Sequence, residues 1–418
     1  MRSADDRRRM GWGARRLVPA LMLAAALTPA GAFAQANGPQ TNAAAASGPV
    51  EITYLALDAP RPRPSTELTP PPKDLGLAGA RLALADDATT GRFTGQEFKL
   101  DEAVGADAAA VTAAFKARLA AGTRNFVTDL PAPLLLTLAD LPEAQGATLI
   151  DATSTDDALR GADCRRNVLH MLPSRAMFAD ALMQYLVVKN WRHIMLVQGK
   201  DPADALYAAA IRHAAKKFQV SIVADKPWSF NAAAQQADTG HFQVNTEVSN
   251  LTQGISYDVL VVADEADNFG DQLGYRSFLP RPVAGTQGLT PSAWSPMFDE
   301  MGSRQLQLRF LALAKRMMTD RDYGAWLAVR AFGEAATRTA SADPAAMATF
   351  LHGTDFTVAG YKGPPFSIRP WDGQLRQPVL LADDRSLVSI SPQPGFLHQF
   401  YETDTLGTDK PETTCHMS

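Results

Sequence analysis

Residues Tyr257–Leu289, YDVLVVADEADNFGDQLGYRSFLPRPVAGTQGL, decide how the chain is read. Asp258–Ala263 is a short, β-branched apolar run, the pattern of a strand buried on both faces. It stops at Asp264-Glu265, and in open α/β sheets ligands sit just beyond the carboxyl ends of such strands. Further on, Pro280-Arg281-Pro282-Val283-Ala284-Gly285 joins residues of fixed and free φ, as a crossover of defined geometry requires. A polar strand end at a cleft and a hinge leading out of it predict two lobes closing on a small ligand.

Working outward, strands and helices alternate on both sides of this stretch. Upstream, strands are expected at Val50–Leu57, Phe98–Glu102, Asn125–Thr128 and Thr148–Asp151. Helices are expected at Leu75–Ala88, Ala106–Ala121 and Pro131–Leu141, the last with proline in its first turn. The rhythm restarts with helix Ser174–Lys189, strand His193–Gln198, helix Asp201–Phe218, strand Val220–Ala224 and a helix within Ala233–Gly254. Such alternation predicts parallel sheets with helices on both faces, an α/β fold in two lobes. Beyond Gly285, helices are expected at Ser303–Thr319, Tyr323–Ala340 and Ala345–His352. Strands Phe366–Pro370 and Pro378–Ala382 would flank a Trp371-Asp372-Gly373 turn, and Gly395–Ser418 reads as an extended tail.

The 418 residues are 46% hydrophobic and 20% charged, an ordinary globular balance long enough for two domains. Arg15-Arg16 precedes an apolar run, Leu17–Leu27, and Ala32-Phe33-Ala34 fits a small-x-small cleavage site, so 1–34 reads as a secretory signal peptide. Its removal takes six basic and two acidic side chains, leaving 34 basic against 42 acidic and a net charge of −8. That balance, without a basic stripe, argues against a nucleic-acid partner and against a polybasic membrane surface. Residues 35–49 read as a flexible leader. The proline-rich stretch Ala59–Asp74 reads as a stiff solvated loop; its Arg61, Arg63 and Lys73 admit a second reading as a cationic lid. In an exported chain, Cys164 and Cys415 suggest one disulfide; with His170 and His416 they lack a zinc spacing.

No nucleophile elbow, Walker loop or His-Glu-x-x-His helix is present, so neither a catalytic residue nor a cofactor is assigned. The polar groups that stand out are strand ends: Asp58, Ser154, Thr155, Asp156, Asp264 and Glu265, with Gln287 after the crossover. In a doubly wound sheet these gather at one rim. Hydroxyls near a helix N-terminus suit a carboxylate, and paired acids suit an ammonium or a metal cation. Ser154-Thr155 as an N-cap and Asp264-Glu265 as a solvated turn are the plainer readings. The acids from Asp264 to Asp271 do not have EF-hand spacing, and no metal site is assigned.

The order of motifs resembles the leucine/isoleucine/valine-binding family, type I periplasmic solute-binding proteins of ABC importers. The residues carrying the resemblance are GLAGARLALADDATTG (Gly76–Gly91), ATLIDATSTDDAL (Ala147–Leu159), Trp191–Lys217 and Gly285–Leu289. More narrowly, Val262-Ala263-Asp264-Glu265, Leu279–Leu289, Asp322–Arg338 and the tail from Gly395 are similar to substrate-binding proteins encoded beside PQQ-dependent alcohol dehydrogenases. The resemblance implies a small-molecule ligand, an ABC permease as partner, an alcohol-oxidation system nearby and no catalysis. It implies lobe one at 50–170 plus 287–377, lobe two at 171–286 plus 378–394, and a tail at 395–418. It places Thr155, Gln287 and Trp326 at the ligand; the strand ends Asp58, Ser154, Asp264 and Glu265 are expected to join them there, and Cys164 is expected to be bridged to Cys415. Gln287 stands where the family has an ammonium-binding glutamate, so branched-chain amino acids are expected to bind poorly.

Overall fold

Strand β1 (Val50–Leu57) is buried along almost its whole length, as its run of Ile52, Tyr54, Leu55 and Ala56 requires of a strand covered on both faces. It lies between β2 (Phe98–Gly105) and β3 (Asn125–Asp129), followed by β4 (Thr148–Asp151) and β5 (Val168–His170). All five are parallel, in the order β2-β1-β3-β4-β5. The molecule is known from a computed structural model, which describes residues 48–58, 71–228 and 244–417. Residues 1–47, which include the stretches read as a signal peptide and most of the expected leader, residues 59–70 of the proline-rich loop, residues 229–243 and Ser418 lie outside the described residues.

Alternate residues of this sheet enter separate cores, the period of two that strand geometry imposes. Ile52, Tyr54, Val127 and Ile150 pack on one side, with helices α1 (Leu77–Thr94) and α8 (Asp320–Thr339). Leu55, Phe126 and Leu149 pack on the other, with α2 (Ala108–Ala120) and α3 (Ala132–Ala139). The second lobe repeats the plan. Strands β6 (His193–Gln198), β7 (Ser221–Pro227), β8 (Val259–Ala263) and β9 (Val283–Gly285) form a parallel sheet ordered β7-β6-β8-β9. Val259 and Val261 face the core shared with α4 (Arg175–Val188) and α5 (Pro202–Lys217). Leu260 and Val262 face the core that includes Val248 of α6 (Val244–Thr252). The opening stretch is therefore a central strand, as its unbroken apolar run implies.

The expected hairpin around Trp371-Asp372-Gly373 is corrected in its partner. The turn forms, with Arg369 N–H donating to Gln374 O at 2.8 Å, but Ile368 bridges Leu375. The chain then runs beside β5 through a parallel bridge from His170 to Gln374, so it cannot fold straight back. Strand β11 (Val379–Ala382) joins β10 (Thr290–Ser292) and β12 (Leu387–Ser391) in a third, antiparallel sheet. Helices α7 (Ser303–Ala314) and α9 (Pro344–Leu351) complete the set. The tail carries two 3-10 turns and is bridged from Cys415 to Cys164, as expected.

The chain passes between lobes three times, and one buried pair joins the passages. Lys362 Nζ donates to Ala293 O at 2.7 Å and to Gln377 Oε1 and Pro378 O, both at 2.8 Å. The Gln377 amide in turn donates to Met171 O. An ammonium buried among apolar side chains is tolerable only with its donors satisfied, and three carbonyl acceptors do so here.

Candidate functional site

In each sheet the strand order reverses beside the first strand of the lobe, between β1 and β3 and between β6 and β8. Such switch points open a crevice at the carboxyl ends of the strands. In lobe one the crevice holds Asp129, which ends β3 and is 4% exposed. Its Oδ2 accepts from the Tyr54 hydroxyl at 2.7 Å and from Arg321 Nε at 2.6 Å; Thr153 Oγ1 donates to Oδ1 at 2.9 Å. Gly76, at φ 79°, starts α1 directly over Tyr54 and Asp129, where a β-carbon would collide with both.

The loop after β4 is held from below. Asp151 Oδ1 accepts from the N–H groups of Ser154 at 2.9 Å and Thr153 at 3.2 Å. The Arg160 guanidinium donates to Ser154 O at 2.9 Å and Asp156 O at 3.0 Å. His170 Nδ1 lies 2.8 Å from Asp151 Oδ2. Burial, and then the charge of Arg160, push the imidazole down to about 4, so it is neutral at pH 7 and donates to Asp151. The start of α4 docks on this loop: Arg175 N–H donates to Thr155 O at 2.9 Å and Ala176 N–H to Asp157 Oδ1 at 3.0 Å.

Arg175 then reaches lobe two. Its Nε and Nη2 donate to the two oxygens of Glu265 at 2.8 and 2.6 Å, a bidentate pair. Because Thr155 follows β4 and Glu265 follows β8, Arg175 joins the carboxyl-end rims of the two sheets. Glu265 N–H donates to the buried Asp204 Oδ1 at 2.7 Å. Asp264, 1% exposed, turns onto its own loop: its carboxylate accepts from Asn268 N at 2.9 Å, Phe269 N at 2.7 Å and Gly270 N at 2.6 Å. Near them, the Tyr207 hydroxyl of α5 is buried with no hydrogen-bond partner among the described residues, and burial and Glu265 raise its pKa.

The sequence-derived candidates therefore fall into groups. Thr155 and Glu265 come together through Arg175, and Ser154, beside Thr155 on the same loop, is held by Arg160. Asp264 and Gln287 meet over Gly270; the Gln287 amide donates to Asp267 Oδ1 at 2.6 Å. Asp58 ends β1 with an exposed side chain. Trp326 lies in the helix layer of lobe one, 1% exposed, donating to Asp86 Oδ2 at 3.1 Å, stacking on Tyr323 and meeting Tyr361 at a tilt. None of those three neighbours is a strand end. Sequence reasoning passed over Asp129, Arg175, Arg321 and Asp204. Asp129 ends its strand as Asp264 ends β8, so the same rule marks it; the arginines carry no such local signal. Among the described residues, no group of three His, Cys, Asp or Glu side chains could hold a metal ion.

No family model matches the sequence, and no curated protein does. Solved structures match over most of the chain. A branched chain amino acid ABC transporter periplasmic ligand-binding protein from Burkholderia xenovorans LB400 aligns with TM-score 0.69 and 16% identity, over 88% of this chain and 99% of that one. A leucine-, isoleucine-, valine-, threonine- and alanine-binding protein from Brucella ovis, in its closed conformation, gives 0.65 and 13%, over 89% and 100%. An ABC transporter solute-binding protein from R. palustris in complex with benzoate gives 0.62 and 12%, over 88% and 100%. What these likenesses establish is the architecture: the chain has the two-lobed fold of type I periplasmic binding proteins, a mainly parallel α/β sheet in each lobe.

Proposed function

We propose that the protein is the periplasmic substrate-binding component of an ABC importer, taking a small solute between its lobes and releasing it unchanged. The observation that carries this reading is the meeting of two carboxyl-end rims, each a switch point, across Arg175 and three crossovers. Binding proceeds by hinge closure, because a solute touching both rims stabilises the closed arrangement over the open one. The structural relatives named for branched-chain amino acids and for benzoate favour a solute of that size. The export signal read at 1–34 supports the compartment. Lobe one then comprises 50–170 and 287–377, and lobe two 171–286 and 378–394. Ser154, Thr155 and Glu265 line the site, with Asp58 and Gln287 at its margins.

The link to PQQ-dependent alcohol oxidation rests on the sequence resemblance of Leu279–Leu289, Asp322–Arg338 and the tail. A second reading, a non-transporting accessory protein of that system, is favoured by one observation. Asp264 and Glu265 are both satisfied within the protein, which leaves less polarity free for a solute. The test is a thermal-shift screen of the mature chain against alcohols, their acids, amino acids, PQQ and lanthanides, followed by small-angle scattering with any hit. Ligand-induced stabilisation with a fall in radius of gyration supports the receptor. Co-purification with a dehydrogenase and no stabilisation by any compound overturns it.

A further inference from the structure

We propose that the ligand is a small organic carboxylate carrying no ammonium group, gripped by the free edge of the Arg321 guanidinium; this rests on the receptor reading. The charges at the two switch points leave no acid free between them. A zwitterionic amino acid needs an acid to receive its ammonium. Asp264 is occupied by three backbone N–H groups, Glu265 by both arms of Arg175, and Gln287 is neutral. Asp129 holds Tyr54, Thr153 and Arg321. An ammonium between the switch points would have to displace one of these internal partners, at the cost of a buried charge or donor left unpaired, while the exposed Asp58 at the margin offers it no more than a solvated surface pair.

The positive side is different. Arg321 spends Nε on Asp129, and its two Nη groups donate to no described residue, while its side chain keeps 19% exposure. The short Nε bond to Asp129 fixes where the guanidinium stands, and its Cγ lies 3.4 Å from where a Gly76 β-carbon would be, so little rotamer freedom remains to be lost on binding. A planar fork with a free edge matches two carboxylate oxygens. The crevice between β1 and β3 is also where the strand order reverses.

The experiment is titration calorimetry of the mature chain with four molecules of one skeleton: isocaproate, leucine, isoamylamine and isoamyl alcohol, with benzoate as a second carboxylate. At least one carboxylate is expected to bind about tenfold or more tightly than leucine, with no measurable heat from the amine. Arg321→Gln should weaken that carboxylate by about tenfold or more. Arg321→Lys keeps a counter-charge for Asp129 and controls for folding; its melting temperature should stay near wild type and its affinity fall severalfold. Leucine or the amine binding as tightly as the acid overturns the inference, as does a carboxylate indifferent to both variants. If neither carboxylate binds, the inference fails. The receptor reading survives that failure if the alcohol, the amine or leucine stabilises and closes the protein, and falls with it if none does.

Discussion

Replacing Asp264 by alanine separates two roles for the residue that ends the central strand of lobe two. Its carboxylate accepts three backbone N–H groups from a loop of six residues and is 1% exposed. A hydrogen bond to a buried charged acceptor is worth about 1.5–3 kcal/mol net, so three sum to an upper bound of about 5–9 kcal/mol. Asn268 is partly exposed and water can replace some of the loss, and the Asp264 N–H bond to Thr286 survives. The expected cost is therefore about 3–5 kcal/mol, taken from the lobe-two transition. At about 2–4 °C per kcal/mol for a domain of this size, calorimetry should show a fall of about 10 °C. Hydrogen exchange should show the Phe269 and Gly270 amides losing protection, while amides of β1 and β3 stay protected. Unchanged melting and protection, with solute affinity abolished, would refute the structural role and make Asp264 a ligand group.

Arg175→Ala removes the tie between the rims while leaving Glu265 able to reach water. For a pair this accessible the shift should be about 1 kcal/mol, or about fivefold toward the open form, read as a larger radius of gyration without ligand. No change in scattering would count against Arg175 as a tie. Reduction of Cys164–Cys415 releases a loop of 251 residues, worth up to about 5 kcal/mol in chain entropy, and should lower the melting temperature and expose the tail to protease. An unaltered digest pattern would contradict this. His170 is held neutral in the fold with its pKa near 4, below the ordinary 6.5. The unfolded chain therefore binds a proton more readily between those values. Stability from this residue is full above pH 6.5 and lost as pH falls toward 4, by up to about 3 kcal/mol. His170→Gln should flatten that part of the denaturant profile; a parallel profile would reject it.

Much of the fold was legible because parallel strands announce themselves. Val259–Ala263 and His193–Gln198 are apolar on both faces, and only a covered strand allows that. Helix α8 begins at Asp320, three residues before the expected Tyr323, because Thr319 and Asp322 form a capping box that apolar periodicity does not register. Short strands such as β9, β10 and β12 escaped for lack of a pattern long enough to count. The site was legible as a set of strand ends and no further. Whether a carboxylate meets solvent, its own loop or an arginine far along the chain depends on tertiary closure; Asp129 meets Arg321 across 192 positions. Trp326 carries an N–H that Asp86 accepts inside the helix layer, whereas the family resemblance had set it beside the ligand.

The last residues of the chain are fastened at both ends of the hinge. Lys217 donates to Thr405 O and Gly407 O, and Gly407 N–H donates to Asp180, so this part belongs to α4 and α5 of lobe two. Asp404 is clamped by Arg369 and Arg376, and Cys415 is bonded to Cys164 of lobe one. Arg369 and Arg376 belong to lobe one, so their bonds to Asp404 hold first; once they let go, the covalent limit is the stretch from Gly407 to Cys415, which can span at most about 28 Å. In the hinge motion proposed above, the tail acts as a check-rein, setting a ceiling on how far the halves can swing apart before this segment is drawn taut.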